Sequence, residues 1–284
     1  MFELILENKA GQKLEFGYGK PFTVTEIQGL NPPSATINTS KLSLIDGEKF
    51  NSSKMNMRSL NVAFAIEVEA AKNRTEVFKV LKSKQWVRFT YIGQYRQVYI
   101  DGYIQSIGID YFAKKQIVTC SILCPSSYFR EAQEIVNEMG EIVSNFHFPF
   151  SSTAEPQLVF GYIRNEVGVT IENDSDLDCG LIIELYARAN LTNPKVYNYL
   201  TQEYIGLNIS MQAGDLVILD TQQGHKTAKL IRSGVETSVF NNVIAGSTWL
   251  QLPAEGGTFV YEVGTGSASS LDVTFKHYNI YEGV

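Results

Sequence analysis

The sequence has few of the residues on which disulfide-bonded proteins depend. Its 284 residues include only three Cys. Three Cys cannot all pair within one chain, so we expect a protein made in a reducing compartment and stable without a disulfide framework. Cys120 and Cys124 share one face of a predicted strand, about 13 Å apart, which is too far for a disulfide or a shared zinc ion. We expect both to be small buried residues.

Metal and catalytic motifs are also missing. None of the three His (His147, His225 and His277) has a second ligand at metal-binding spacing. The sequence beginning at Asp174 does not match an EF-hand calcium-binding loop, because Cys179 occupies the position that requires glycine and Leu185 the position of the bidentate glutamate. An irregular calcium site there, and a pair of carboxylates that only the fold brings together, stay open as alternatives.

No Gly-x-Ser-x-Gly motif and no phosphate-binding loop ending in Gly-Lys-Ser/Thr occurs in the chain. The sequence therefore predicts a protein that is not an enzyme, with no metal site and no cofactor.

Long hydrophobic runs and excess positive charge are absent as well. The apolar run at 216–219 is far shorter than the ~20 residues of a membrane helix, so we expect no membrane partner. The first residues carry no basic segment and indicate a strand rather than a signal peptide. Lys and Arg number 24 against 30 Asp and Glu, a net charge of −6. Specific nucleic-acid binding is therefore disfavoured.

What the chain does contain favours β-structure. Aromatic residues make up 12% of the sequence and 22 Gly interrupt it, a pattern typical of strands joined by turns. The length suggests about two domains. The pattern of residues changes near 125–130, so we predict an N-terminal β domain over 1–127 and a second domain over 128–284.

The N-terminal domain is predicted to contain one short helix, over 70–82, with Asn73 as its N-cap. A hairpin follows, with Gly93 and Gln94 as a two-residue type II′ turn. This turn places Phe89 opposite Val98. One face of the hairpin is then apolar and buried, formed by Val87, Phe89, Val98 and Ile100.

A long polar passage covers residues 29–54. Pro32 and Pro33 lack backbone donors, so this passage cannot be a central strand. Loops of this length are uncommon in compact domains. The passage is either a functional loop or a mobile surface loop.

The C-terminal half shows short alternating strands with Gly206, Gly214, Gly224 and Gly234 between them. Many short strands at this spacing, without helical patterns, predict a β-sandwich or jelly roll. Several aromatic residues there either stack on sugar rings or pack inside the sandwich. The candidate glycan contacts are Tyr186, Tyr197, Tyr199 and Trp249.

The C-terminal half resembles the distal tail (Dit) proteins of long-tailed phages of Gram-positive hosts, and of related prophages and tail-like bacteriocins. The stretches that carry the resemblance are 173–184, 193–198, 203–208, 213–221, 224–226, 247–252 and 278–284. The N-terminal half is similar at 21–25 and 124–129, so the resemblance covers nearly the whole chain.

The resemblance implies a mainly β fold, with a split-barrel-like N-terminal domain carrying one short helix and a galectin-like C-terminal sandwich. It implies a structural protein of the virion tail, a homo-hexameric ring that DNA passes through. Its implied partners are the tail tube protein, the tail-associated or hub protein, and receptor-binding or baseplate proteins. A carbohydrate-binding module that aids adsorption to the host cell wall is the alternative, and a hydrolase is the third hypothesis.

A ring requires an interface between different surfaces of neighbouring copies, and extended loops supply such contacts. The passage 29–54 is the best candidate for that interface. The candidate contacts to neighbouring copies or to the tail tube are Asn31, Pro32, Pro33, Asn38, Lys41, Lys49, Asn51 and Lys54.

Overall fold

A computed structural model describes residues 2–43, 46–139, 141–144, 161–164 and 168–284. The described chain is mainly β with one α-helix, as the sequence predicts. It forms two compact units. The first consists of Met1–Ala132 together with Ile280–Val284, and the second of Gln133–Asn279.

The elements before residue 132 are β1 (Glu3–Asn8), β2 (Lys13–Phe16), β3 (Phe22–Gln28), β4 (Ala35–Lys41), β5 (Glu48–Met55), β6 (Arg58–Ile66), α1 (Ala70–Val80), β7 (Trp86–Ile92), β8 (Gln97–Ile109), β9 (Ile117–Cys124) and β10 (Phe129–Glu131).

The later strands are β11 (Ile135–Glu138), β12 (Glu141–Ser144), β13 (Gly161–Arg164), β14 (Gly168–Ile171), β15 (Cys179–Ala187), β16 (Leu191–Thr192), β17 (Lys195–Asn198), β18 (Tyr204–Gly206), β19 (Ser210–Met211), β20 (Leu216–Asp220), β21 (Thr227–Arg232), β22 (Val235–Ser238), β23 (Gln251–Leu252), β24 (Gly257–Glu262), β25 (Leu271–His277) and β26 (Ile280–Tyr281). Short 3₁₀ turns occur at Phe240–Asn242 and Ala268–Ser270.

The first unit is built around a closed barrel. Its strands follow the order β8-β7-β1-β2-β3-β6-β9, and β9 pairs back onto β8. β10 and then β26 extend the sheet from β8. Alternate residues point into the barrel, where Phe16 and Phe64 meet edge to face at 4.8 Å. Closure leaves these barrel strands without open edges.

The helix α1 confirms the predicted element, but its N-cap is not Asn73. The helix begins at Ala70, after Glu69, whose backbone is left-handed with φ 44°. Asn73 lies one turn inside and donates its side-chain amide to the Val68 carbonyl at 2.6 Å. Asn73 therefore ties the preceding residues to the helix from within its first turn.

The hairpin of β7 and β8 has the predicted faces and a different register. Gly93 donates to the Arg96 carbonyl at 2.9 Å, and Phe89 pairs with Ile100 instead of Val98. A two-residue shift leaves every side chain on its own face, so the apolar set stays buried. The observed register also places Arg88 opposite Asp101, with two hydrogen bonds of 2.7 and 2.9 Å.

The second unit is a sandwich of two antiparallel sheets. One has the order β11-β25-β15-β20-β21-β22, with β23 also paired to β15, and the other has the order β14-β24-β17-β18. Phe259 of β24 meets Phe275 of β25 at 5.2 Å, so the two sheets pack face to face. The alternation predicted at 259–263 and 271–275 is confirmed as far as the strands extend, with Phe259, Tyr261, Leu271, Val273 and Phe275 buried. The alternation predicted at 205–209 is not observed, because Ile205, Gly206 and Leu207 are all buried.

Candidate functional site

The passage predicted to be a loop forms a two-stranded arm on the first unit. β4 and β5 pair antiparallel, and neither pairs with another described strand. The prediction of a loop was wrong. Both arm faces are exposed, so the sequence lacks the regular alternation of apolar and polar residues that indicates a strand. Pro32 and Pro33 precede β4, where their missing donors cost no sheet hydrogen bond.

Polar side chains link the two arm strands. Asn38 donates to Ser52 at 3.0 Å, and Ser40 donates to Asn51 at 3.3 Å. At the base Thr36 donates to Asn56 at 2.7 Å. The pairing shifts by one residue between Asn38 and Thr39. Such cross-strand pairs add a few tenths to about 1 kcal/mol each, which fixes the register of an otherwise solvated hairpin.

The arm is amphipathic. Thr39 lies opposite Phe50, and Ile37 shares their face because side chains alternate along a strand. We call this the apolar arm face, because it carries Ala35, Ile37, Phe50 and Met55. Its other residues are Thr39, Ser53 and, at the tip, Lys41 and Glu48. Ile37 is 62% exposed and Phe50 is 60% exposed. The opposite face is polar and carries Thr36, Asn38, Ser40, Lys49, Ser52 and Lys54.

The arm separates the predicted interface residues into two groups. Asn38, Lys41, Lys49, Asn51 and Lys54 lie on the arm strands. Asn31, Pro32 and Pro33 lie at its base.

Sequence reasoning missed Ile37 and Phe50, the large apolar residues that the arm exposes most. Two apolar side chains inside a polar passage were the signal that could have found them.

A buried arginine anchors the arm base. Arg58, at the start of β6, is 1% exposed. Its guanidinium donates to the carbonyl of Asn31 at 2.8 Å, to that of Ser127 at 2.9 and 3.1 Å, and also to that of Gly29. Burial lowers the pKa of Arg58 from its usual value. The cation is held by carbonyl dipoles and by the face of Phe129, 4.3 Å away.

The C-terminal residues complete this anchorage, which we call the Arg58 clamp. The Glu282 carbonyl accepts a hydrogen bond from Arg58 at 2.5 Å. Val284 donates its backbone N–H to the Leu30 carbonyl at 3.2 Å. A Cβ on Gly283 would lie 3.1 Å from Pro32 Cδ. The end of the chain is thus fastened to the residues from which the arm emerges.

An apolar groove lies at the other end of β3. It has a volume of about 440 Å³ and is lined by Phe2, Phe16, Gly17, Tyr18, Gly19, Lys20, Thr23 and Val24. Tyr18 is 92% exposed, and Phe2 stacks on Tyr91 at 5.6 Å. We call it the Tyr18 groove. It adjoins the Phe22 end of β3, whereas the arm leaves from the Gln28 end.

The four candidate glycan contacts lie on several elements of the second unit. Tyr197 pairs with Tyr204, whose carbonyl accepts a hydrogen bond at 2.7 Å from Thr248, the residue before Trp249. Tyr186 is on β15 of one sheet, and Tyr197 is on β17 of the other. Tyr199 follows β17 and is 60% exposed. Trp249 precedes β23 and stacks on Phe240 at 5.4 Å.

The described residues hold no group of three or more His, Cys, Asp or Glu side chains that could bind a metal ion. His277 is buried, His225 is exposed, and His147 lies outside the described residues.

Cys120 and Cys124 are buried as predicted, and burial raises the pKa of each thiol to about 12. Across the described ranges, no helix has the length and apolar character needed to cross a bilayer.

The closed barrel with its arm and the separate sandwich define a mainly β chain of two units. Comparison with solved structures finds proteins with a similar fold. SPP1 Dit (gp 19.1), described as a paradigm of the hub adsorption apparatus in Gram-positive infecting phages, matches with a TM-score of 0.68 and 12% identity over 99% of both chains. A chain of the phage P2 baseplate, in its activated conformation with Ca, matches with a TM-score of 0.52 and 11% identity over 100% of both chains.

No protein-family model matches the chain, and no curated protein matches it in sequence. The chain therefore has the fold of a phage distal tail protein, as the resemblance implied.

Proposed function

We propose that this protein is a structural component of a phage-type tail, without catalysis. In this proposal six copies form a ring through their first units, which joins the tail tube to the hub and receptor-binding proteins. DNA passes through the ring, and assembly takes place in the host cytoplasm. The observation that carries the proposal is an exposed amphipathic arm on a barrel whose fold matches that of a phage hub protein.

The arm supports an assembly role because it is incomplete by itself. An isolated two-stranded hairpin is only marginally stable in water and gains stability by packing an apolar face on another surface. Ile37 and Phe50 present such a face to solvent. Burying the exposed part of both side chains would contribute roughly 2–4 kcal/mol for each copy.

The position of the arm supports a head-to-tail contact. The arm and the Tyr18 groove lie at opposite ends of β3 in the same barrel. A contact between two different surfaces repeats from copy to copy and closes into a ring when the rotation allows it. We propose that the apolar arm face of one copy packs in the Tyr18 groove of the next.

The net charge of −6 agrees with a conduit for DNA. Each phosphate that a protein neutralises adds affinity, and a conduit that bound its cargo tightly would retain it.

Disulfide trapping tests the contact. The native thiols are all buried, so introduced cysteines are the ones that react. Ser53 lies opposite Ile37 on the same arm face, so Ser53→Cys leaves both Ile37 and Phe50 in place. Ser53→Cys protein mixed with Tyr18→Cys protein should give a covalent dimer on mild oxidation. Each variant alone should give none. A chain carrying both substitutions should give a ladder of products that stops at six copies.

Asn38→Cys is the matched control, because Asn38 lies on the polar arm face and should not couple to Tyr18→Cys. A dimer from Ser53→Cys alone would indicate a two-fold contact between arms and would contradict the head-to-tail arrangement. Absence of every product at concentrations where the chain is oligomeric would exclude the groove as the partner of the arm.

A further inference from the structure

A basic surface lies on the first unit, at the end of β1 opposite the Tyr18 groove. Lys9 directly follows β1, and Lys82 and Lys84 lie between α1 and β7. All three side chains are exposed, and within the described part of the chain none of them forms an ion pair. The neighbouring Lys79 differs, because Glu76 neutralises it at 2.7 Å. Three exposed cations are therefore available to a partner.

Hydrogen bonds hold the segments that carry these lysines together. The Asn8 side-chain amide donates to the Val80 carbonyl at 3.3 Å, which fastens the turn of Lys9 to the end of α1. Lys84 donates its backbone N–H to the Ile104 carbonyl of β8 at 2.8 Å. The lysines are therefore carried by segments that are fixed to one another, which lowers the entropy cost of binding.

Two aromatic side chains border the lysines. Trp86 is the first residue of β7 and lies opposite Tyr103 of β8, so both rings are on the same face of the sheet. Tyr103 is 48% exposed. Protein interfaces typically combine aromatic residues at the centre with charged residues at the rim. We call this surface the lysine patch, formed by Lys9, Lys82, Lys84, Trp86 and Tyr103.

The second unit carries the opposite charge. Residues 133–279 contain 17 Asp and Glu against 7 Lys and Arg. Two of its loops are fastened together, since Asp178 accepts a hydrogen bond from the Ala254 N–H at 3.0 Å. Asn173 also donates its side-chain amide to the Pro253 carbonyl at 2.8 Å. Five carboxylates on these loops are exposed and form no ion pair within the described residues. We call them the acidic end: Glu172, Asp174, Asp176, Asp178 and Glu255.

The two surfaces match in arrangement as well as in charge. Leu177 and Pro253 are half-buried in the same two loops, so the acidic end also has apolar area bordered by charge. The lysine patch has the reverse sign, with positive charge beside Trp86 and Tyr103. Complementary charges of this kind steer two surfaces together and suppress wrong partners.

We propose that the lysine patch of one copy docks on the acidic end of the second unit of another copy. A second copy fits better than DNA, because three unpaired lysines match at most about three phosphates and give a duplex only modest affinity. Exposed ion pairs are individually weak and are screened by salt, so the contact forms at low salt or high protein concentration. It uses neither the arm nor the Tyr18 groove, and it goes beyond the ring contact proposed above.

Zero-length cross-linking tests the proposal, because a carbodiimide joins a lysine amine only to a carboxylate in direct contact. Isotopically heavy and light full chains are mixed at about 0.5 mM, where a millimolar contact is partly occupied, and the linked peptides are identified by mass spectrometry. Links from Lys82 or Lys84 to a carboxylate of the acidic end should join heavy chains to light chains. Raising NaCl from 0.1 to 1 M shortens the Debye length from about 10 to about 3 Å and should lower their yield about fivefold or more.

Asp174→Asn/Asp176→Asn should lower the yield of the remaining links about fivefold, since it removes two charges from the acidic end. Both side chains are exposed, so this variant should keep its fold. Glu138→Gln/Glu203→Gln is the matched control, because it removes two exposed carboxylates outside the acidic end, and its yield should equal that of the unmodified chain.

Absence of links between the two surfaces would overturn the proposal, as would equal yields from the two double variants. Links that join only peptides of one label would place the contact within a single chain and refute a second copy as the occupant. A short DNA duplex that binds the chain but not Lys82→Gln/Lys84→Gln, without any links between copies, would identify nucleic acid as the occupant instead.

Discussion

Replacing Arg58 by Met should destabilise the first unit strongly, because Arg58 gathers four backbone carbonyl groups in the Arg58 clamp. Methionine fills similar space and leaves those carbonyls without their donor. Each buried carbonyl that loses its partner costs roughly 1–3 kcal/mol, offset by no longer burying a cation. We expect a net loss of about 3 kcal/mol in the free energy of unfolding.

The two tryptophans provide a clean assay. Trp86 lies in the first unit and Trp249 in the second. In a Trp249→Phe background, fluorescence therefore reports the first unit alone. With an m-value of about 2 kcal/mol/M, the Arg58→Met substitution should lower the urea midpoint by about 1.5 M.

The urea midpoint of Arg58→Lys should lie between those of the parent chain and Arg58→Met, because lysine keeps the charge but cannot reach all four carbonyls. Lys54→Met on the exposed polar arm face is the control and should leave the midpoint unchanged. Hydrogen exchange should show faster exchange of the Val284 amide in Arg58→Met. A midpoint within about 0.3 M of the parent would refute the reasoning that the clamp holds the unit together.

Other substitutions give sharp outcomes as well. Phe50→Ser should abolish oligomers in sedimentation, and at concentrations where the parent chain is also monomeric it should leave the urea midpoint unchanged, since Phe50 contacts solvent in the single chain; a lost fold would contradict this. Gly102→Ala should cost about 1–3 kcal/mol, because its Cβ would meet Ile122 at 2.7 Å, whereas Gly17→Ala, with its nearest atom at 3.6 Å, should be neutral in the same titration. Arg232 lowers the pKa of Asp215 below its usual 3.8, so this pair stabilises the second unit above that pH and the contribution disappears as the pH falls further. Asp215→Asn should remove this part of the acid dependence in unfolding followed by Trp249, and an unchanged pH profile would contradict it. With pKa values of about 12, Cys120 and Cys124 should not react with a thiol reagent at pH 8 unless the chain unfolds, and rapid labelling of folded protein would count against their burial.

The strands and the helix were predictable where one face is buried. Leu4 and Leu6 on β1 and Phe259 and Tyr261 on β24 alternate with more exposed neighbours, and this pattern by itself indicates strands. The hairpin register was not predictable in the same way. A period of two defines which face a residue occupies, but it allows slips by two residues. The Arg88–Asp101 pair distinguishes these registers only once the strands are adjacent.

The arm and its anchorage could not be predicted, for two physical reasons. Both faces of the arm are exposed, and its few apolar residues, such as Ile37 and Phe50, form no regular alternation, so β4 and β5 resembled a loop. The Arg58 clamp joins residues separated by 224 positions in the chain, and no local pattern encodes such a contact.

Sedimentation velocity of the purified full chain, from dilute to concentrated solution, tests the proposed assembly most directly. The expected result is a closed species of six chains, about six times the 31.8 kDa of one chain, that Phe50→Ser abolishes. A single species of 31.8 kDa at every concentration, identical for the unmodified chain and Phe50→Ser, would contradict it.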